Sequence, residues 1–247
     1  MAKPSYRVTV AATEQRTPNL RRLHLEGEDL TRFPDGFEGG YVKLLLTPEG
    51  TAAPAPEGAK RRSYTVRAFD RAASRLTLDF AAHGLAGPGT RWGAEAAVGD
   101  AITVVGPGAV KGLDPAADWV LLAGDMTALP ALAVQLERLG ADATGHAVIA
   151  VPSAEDRQLP AHPPGLEVHW LVGEPPEALV ATVRAIPWRP GSVAVWCASE
   201  FEAMRGLRGY FRDERGVGKD AMYISSYWKR DATDEQHKAA KRADAAA

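Results

Sequence analysis

Apolar positions follow two regimes along the chain. Through the first hundred or so residues, short apolar runs alternate with polar residues and are cut by turn residues, the period-two pattern of strands with one buried face. Leu76, Leu78 and Phe80, with Thr77 and Asp79 between them, show the pattern most plainly. The same reading predicts strands at 6–10, 20–25, 41–46, 64–68 and 101–105, with a Pro-, Ala- and Gly-rich surface loop at 47–60. From Asp118 the pattern changes to near-continuous apolar runs separated by helical periodicity, as in a parallel sheet covered on both faces. Strands are predicted at 119–124, 146–151, 168–172, 193–198 and 222–226, and helices at 128–139, 176–184 and 202–216.

The segment 106–117, with two prolines and three glycines, reads as a linker, and 234–246 as a short Ala- and Lys-rich helix. The fold class expected is therefore β + α/β. An N-terminal antiparallel β-barrel (1–110) is followed by a doubly wound parallel-sheet, nucleotide-binding domain (118–230) and a helical tail (231–247). In such a pair one half can hold a flavin and the other can present a nicotinamide.

Composition narrows the classes. A hydrophobic content of 45% suffices for real cores. A formal net charge of -2 supplies no overall basic field for nucleic acid or an anionic membrane, so an anionic ligand must be met by a local patch. The single cysteine, Cys197, rules out intrachain disulfides and Cys-rich metal centres. A small core residue is the favoured reading of it, although it stands near a strand end where ligands bind. The first residues carry no apolar stretch and no apolar run is long enough to cross a bilayer, so a cytoplasmic monomer without membrane insertion is expected. No His, Cys and carboxylate cluster with metal-ligand spacing stands out, so no metal site is expected.

The strongest chemical signal is Arg62-Ser63-Tyr64-Thr65-Val66-Arg67, at a loop-to-strand transition. Alternate side chains on a strand share a face, so Arg62 and Tyr64 can point at one ligand while Thr65 points elsewhere. A guanidinium fork suits a pyrophosphate, a phenol ring suits stacking on an isoalloxazine, and a Thr hydroxyl or backbone N–H suits its N5. On composition alone, a surface strand with solvated arginines is the slightly favoured reading. Downstream, His83-Gly84-Leu85-Ala86-Gly87-Pro88-Gly89-Thr90-Arg91-Trp92 supplies glycines that let backbone approach a phosphate at a helix start; a plain turn between strands is the bland alternative. Later, Gly124-Asp125-Met126-Thr127-Ala128 closes a strand, and Thr127 is placed to cap a helix from Ala128 while leaving N–H groups for a phosphate. The dinucleotide fingerprint G-x-G-x-x-G is absent from this segment.

Taken in order, these segments resemble the siderophore-interacting protein family, flavin-dependent ferric-siderophore reductases of the ferredoxin reductase-like superfamily. The resemblance covers nearly the whole chain: Arg62 to Arg67, Asp79-Phe80 leading into His83-Gly84, Gly87-Pro88 with Trp92, Gly124 to Pro130, Glu214-Arg215-Gly216 and Tyr227-Trp228-Lys229. It implies that FAD is held by Arg62, Tyr64, Thr65, Val66, Arg67, His83, Gly84, Gly87, Pro88, Gly89, Thr90 and Trp92, with Tyr64 on the ring and Thr65 near N5 as the catalytic pair. It implies NADH or NADPH as donor, received at Asp125, Thr127 and Ala128, with ferredoxin as another donor in the family. Lys43, Lys229 and Lys241 are the implied cations for an anionic ferric siderophore, whose iron needs no protein ligand. Three positions depart from the family pattern: Met126 where an acid is common, Ser226 where glycine often precedes Tyr227, and Asp231 where glycine often follows the basic pair. The alternatives are a flavin- or ferredoxin-type reductase for another acceptor, and a non-catalytic siderophore or flavin carrier.

Overall fold

The computed structural model describes residues 3–54, 56–82 and 87–246, and divides into two compact units, one ending at Lys111 and one beginning at Gly112. In the first, six antiparallel strands close into a barrel: β1 (Ser5–Thr17), β2 (Leu20–Glu26), β3 (Tyr41–Leu46), β4 (Lys60–Asp70), β5 (Arg75–Ala81) and β6 (Ala101–Gly108), in the order β1-β2-β5-β4-β3-β6. Closure depends on the length of β1. Its first residues pair with β6 and its remainder with β2, so one strand serves both edges and none is left open. Inward positions form one core, with Tyr6, Val8, Leu23, Leu25, Val42, Leu44, Leu76, Leu78 and Val104 among its members. A helix, α1 (Pro88–Glu95), lies over one part of this core.

Strand β5 is buried on both faces, whereas its alternation predicts one. The polar residues Thr77 and Asp79 find partners opposite them on β2. Arg22 donates a two-pronged bond to the Asp79 carboxylate at 2.7 and 2.8 Å, and His24 bonds the Thr77 hydroxyl at 3.0 Å. A buried carboxylate is tolerated when its acceptor sites are filled in this way. The expected linker also begins inside structure, because β6 runs on to Gly108.

The second unit is a five-stranded parallel sheet of β7 (Trp119–Asp125), β8 (Thr144–Val151), β9 (Gly165–Val172), β10 (Val193–Glu200) and β11 (Met222–Trp228), in the order β11-β10-β7-β8-β9. Helices α2 (Leu129–Arg138), α3 (Pro176–Ala185) and α4 (Phe201–Gly209) connect the strands, and α5 (Asp234–Ala246) follows the last. Residues Trp119, Leu121 and Ala123 of β7 face the α3 and α4 side. Gly124, on the alternate face, meets α2 so closely that a Cβ would stand 2.8 Å from Leu132 and 2.9 Å from Ala128. Both faces are therefore covered, and the strand order reverses between β7 and β10, the switch point at which open α/β sheets bind ligands. The helix predicted over 202–216 is instead α4 followed by a π-helical turn at Tyr210–Glu214.

Helix α5 docks on β11 through polar side chains. His237 bonds the Ser226 hydroxyl at 2.8 Å, Lys241 donates to the Ser226 carbonyl at 2.9 Å, and Asp244 accepts a bidentate pair from Arg208 at 2.7 and 2.8 Å. Ser226, a departure from glycine, thus anchors the tail. Asp231, another departure, lies at a φ of 53°, the left-handed region that glycine enters without steric cost.

Candidate functional site

In the barrel unit the expected ligand-binding residues gather where α1 meets β4. Two glycines one turn apart permit the approach. A Cβ on Gly89 would stand 2.5 Å from the Tyr64 hydroxyl and 3.2 Å from Arg62, and one on Gly93 would stand 2.3 Å from the Phe80 ring. The helix is fastened at its other end by Arg21, which donates to the carbonyls of Gly93 at 3.0 Å and Ala96 at 2.7 Å, and also to that of Ala94. Pro88 sits in the first turn, where it loses no helical bond, and the Arg91 N–H closes onto the Gly87 carbonyl. The first turn of the helix passes the aliphatic stem of Arg62, whose guanidinium donates to the Arg61 carbonyl at 3.1 Å.

Tyr64 packs on Phe80 with ring centroids 4.2 Å apart, and Phe80 in turn meets Trp92 at 5.5 Å. The Tyr64 ring is half-buried, and burial pushes its phenol above the usual range, with the nearby Arg62 charge acting in opposition. Strand register places Arg62 and Tyr64 opposite the core residues Leu44 and Val42, while Thr65 lies opposite Tyr41 and Ser63 opposite Lys43. Tyr64 and Thr65 thus occupy different faces of β4, and Lys43 shares the face of Thr65. Arg67 falls at a register shift between Val66 and Ala68, a bulge that re-aims the strand.

Two expected contacts stand back from the ligand side. Val66 is wholly buried in the core, with its N–H and C=O bonded to the Gly40 carbonyl and Gly39 N–H. Trp92 is 4% exposed and supports Phe80. His83 and Gly84 lie outside the described residues. What remains is a guanidinium, a close-packed glycine backbone and a half-buried phenol ring, a set that fits a dinucleotide with a pyrophosphate and a flat aromatic ring.

In the α/β unit the switch point is organised by Asp125, at the end of β7. Its Oδ1 accepts from the Thr127 N–H at 2.9 Å and the Thr127 hydroxyl at 2.6 Å, and its Oδ2 accepts from the Glu200 N–H at 2.9 Å and the Trp228 indole at 2.8 Å. Burial raises the Asp125 carboxyl above its ordinary value, and all four bonds act in the opposite direction. Glu200, at the end of β10, caps α4 by accepting from the N–H groups of Glu202 and Ala203, and its other oxygen accepts from the Arg230 N–H at 3.0 Å. One carboxylate thus joins three strand ends, and a second closes the adjoining helix terminus.

This arrangement corrects the reading of the Gly124 to Pro130 loop. Thr127 caps nothing, because its hydroxyl is spent on Asp125 and the helix cap is Ala128, which makes no side-chain bond. The N–H groups of Thr127, Ala128, Leu129 and Ala131 bond to Asp125, Asp125, Met126 and Ala128, and Pro130 has none. The first turn of α2 therefore has no N–H to offer a phosphate. Met126 is buried at this turn, and Cys197 is a core residue of β10 whose thiol burial keeps protonated.

The three expected substrate cations differ in freedom. Lys43 is half-buried and pairs in the sheet opposite Ser63 and Val105, and its side chain makes no ion pair with any described residue. Lys229 bonds Glu202 at 2.8 Å and lies 4.4 Å from the centre of the Phe201 ring, and this bond holds the Glu202 carboxyl below its usual range. Lys241 is committed to Ser225 and Ser226. A further grouping, of His146, Glu167 and His169, was hidden by sequence spacing because its members come from two strands.

Residues 9–111 match the siderophore-interacting FAD-binding domain family, and residues 117–231 match the siderophore-interacting protein family. The chain is 32% identical over 236 residues to the ferric vibriobactin reductase ViuB of Vibrio cholerae, covering 89% of this chain and 87% of that one. Among solved structures it resembles the siderophore-interacting protein SipS from Aeromonas hydrophila, with a TM-score of 0.89, 31% identity and 99% of each chain covered. A siderophore utilization protein from T. fusca gives a TM-score of 0.83 at 30% identity, covering 95% of this chain and 96% of that one.

Proposed function

The chain belongs to the siderophore-interacting protein family, and on that premise we propose that it is an FAD-dependent reductase that draws on NADH or NADPH and releases iron from ferric siderophores as Fe(II). The observation that carries this reading is the approach of the α1 N-terminus to Arg62 and Tyr64, which only glycine at position 89 allows. Arg62 and the close-packed backbone at Gly89 would hold the pyrophosphate, Tyr64 would lie against the flavin ring, and Arg67 and Thr65 would complete its surroundings. When bound, FAD supplies the conversion of a two-electron donor into single-electron delivery. Phe80 and Trp92 brace the Tyr64 ring from behind and limit its rotation, so the ring surface is set before a ligand arrives.

For the substrate, Lys43 is the least encumbered cation, and Lys229 would contribute what its pairing with Glu202 leaves. No residue is needed as an iron ligand. Hard oxygen donors of a siderophore hold Fe(III) far better than Fe(II), so reduction itself loosens the metal. A cytoplasmic monomer is the form proposed, and no described helix is long and apolar enough to cross a membrane.

One observation favours a second donor. With the first turn of α2 spent internally, the pyrophosphate of a nicotinamide dinucleotide would have to rely on other groups. Ferredoxin needs no such phosphate site, so it is the second reading for the source of electrons.

Replacing Arg62 by Ala tests the assignment. Loss of a charge-assisted contact of about 1.5–3 kcal/mol should raise the FAD dissociation constant about 10- to 100-fold, measured by flavin fluorescence titration. Unchanged retention would remove Arg62 from the pyrophosphate site.

A further inference from the structure

The α/β sheet carries a cluster that the reductase reading does not use. His146 lies on β8, and its register partner on β9 is Glu167; two residues on, His169 emerges on the same face. His146 is 6% exposed, whereas the Glu167 side chain is 69% exposed, so the group runs from the core margin to solvent. The His146 Nδ1 stands 3.2 Å from the His169 Nε2 and 3.7 Å from the Glu167 Oε2, and all three ligand atoms lie within 4.8 Å of one another.

These spacings are informative. A tetrahedral ion with metal–ligand bonds of about 2.0–2.1 Å holds its ligand atoms about 3.3–3.4 Å apart. The two separations from His146, 3.2 and 3.7 Å, lie close to two edges of such a polyhedron, and the third, within 4.8 Å, can close by side-chain rotation on fixed strands. Rigid neighbouring strands are a better platform for ligands than loops, because register fixes the side-chain origins.

We infer that His146, Glu167 and His169 form a binding site for a divalent first-row transition-metal ion, with two imidazoles, one carboxylate and an open fourth position. The donor set of two histidines and one carboxylate suits Zn(II), Co(II) and Fe(II) rather than Ca(II) or Mg(II), which prefer all-oxygen shells.

The site needs neither flavin nor siderophore, so its test is separate from that of the reductase reading. Purified chain without a polyhistidine tag is treated with chelator, dialysed and titrated with Co(II), following the visible ligand-field absorption, and then challenged with Zn(II). One equivalent should bind with the absorption of a four-coordinate ion, and Zn(II) should displace it. His169→Ala should weaken binding by at least ~10-fold, and Glu167→Gln should weaken it less, with circular dichroism unchanged in both. No cobalt absorption, or a His169→Ala chain that binds as tightly as the unsubstituted one, would overturn the site and leave the two histidines as a hydrogen-bonded pair.

Discussion

Gly89 has almost no room around it, and Gly87, two residues earlier, has a great deal. A Cβ at position 89 would stand 2.5 Å from the Tyr64 hydroxyl, whereas one at position 87 would meet no atom of the described residues within 4 Å. Gly89→Ala should therefore displace α1 or tilt Tyr64 and weaken FAD binding by ~10-fold or more, about 1.4 kcal/mol. Gly87→Ala leaves the apo chain unstrained, so any loss of flavin there would report contact with the ligand itself. Equilibrium titration of both variants, with thermal midpoints as a control for folding, gives the comparison; equal affinities in Gly89→Ala and the unsubstituted chain would contradict the account. At this scale the sequence is informative where the geometry is local. Arg62, Tyr64 and Gly89 are brought together in the fold as residue types whose placement needs little context. Thr127 was misread because its hydroxyl has two possible partners, the helix N–H groups and Asp125, and only the folded turn shows that the carboxylate takes it. The side chains of Val66 and Trp92 are turned into the core, because a motif does not tell which side of the strand or helix is inward.

Among the elements, the ends of β7, β10 and β11 are joined through one carboxylate rather than through the sheet ladder alone. Asp125→Ala would orphan the Thr127 and Glu200 N–H groups, the Thr127 hydroxyl and the Trp228 indole at once. A cost of about 3–5 kcal/mol is expected, while Trp228→Phe, which removes one donor and leaves the acceptor three others, should cost about 1–2 kcal/mol. Urea denaturation of the two variants measures both; an Asp125→Ala chain as stable as Trp228→Phe would show that the carboxylate is not the junction. The strands themselves are legible from periodicity, including all eleven found among the described residues. Cross-strand partners were not. Neither the bond from Trp228 to Asp125 nor the pairing of Arg22 with Asp79 has any signature in spacing, since each joins residues far apart in sequence. The cluster of His146, Glu167 and His169 escaped notice for the same reason.

Across the whole molecule, the change of hydrophobic pattern near Asp118 separates a barrel from a doubly wound sheet, and the structure contains both. Each unit then has a distinct chemical character. In the barrel unit Arg62 and Tyr64 meet a glycine-lined helix start, while at the switch point of the α/β unit the donors are taken up by Asp125 and Glu200. The central claim is that a flavin held by the barrel unit delivers electrons to a ferric siderophore. The most direct measurement is the visible spectrum of the purified chain supplied with FAD, reduced without oxygen and then mixed with a ferric siderophore in the presence of an Fe(II)-specific chromophore. The account predicts a bound flavin that bleaches on reduction and recovers on mixing, with about two Fe(II) formed per flavin. A chain that does not retain FAD, or whose bleached flavin persists unchanged in the presence of the ferric siderophore, would contradict it.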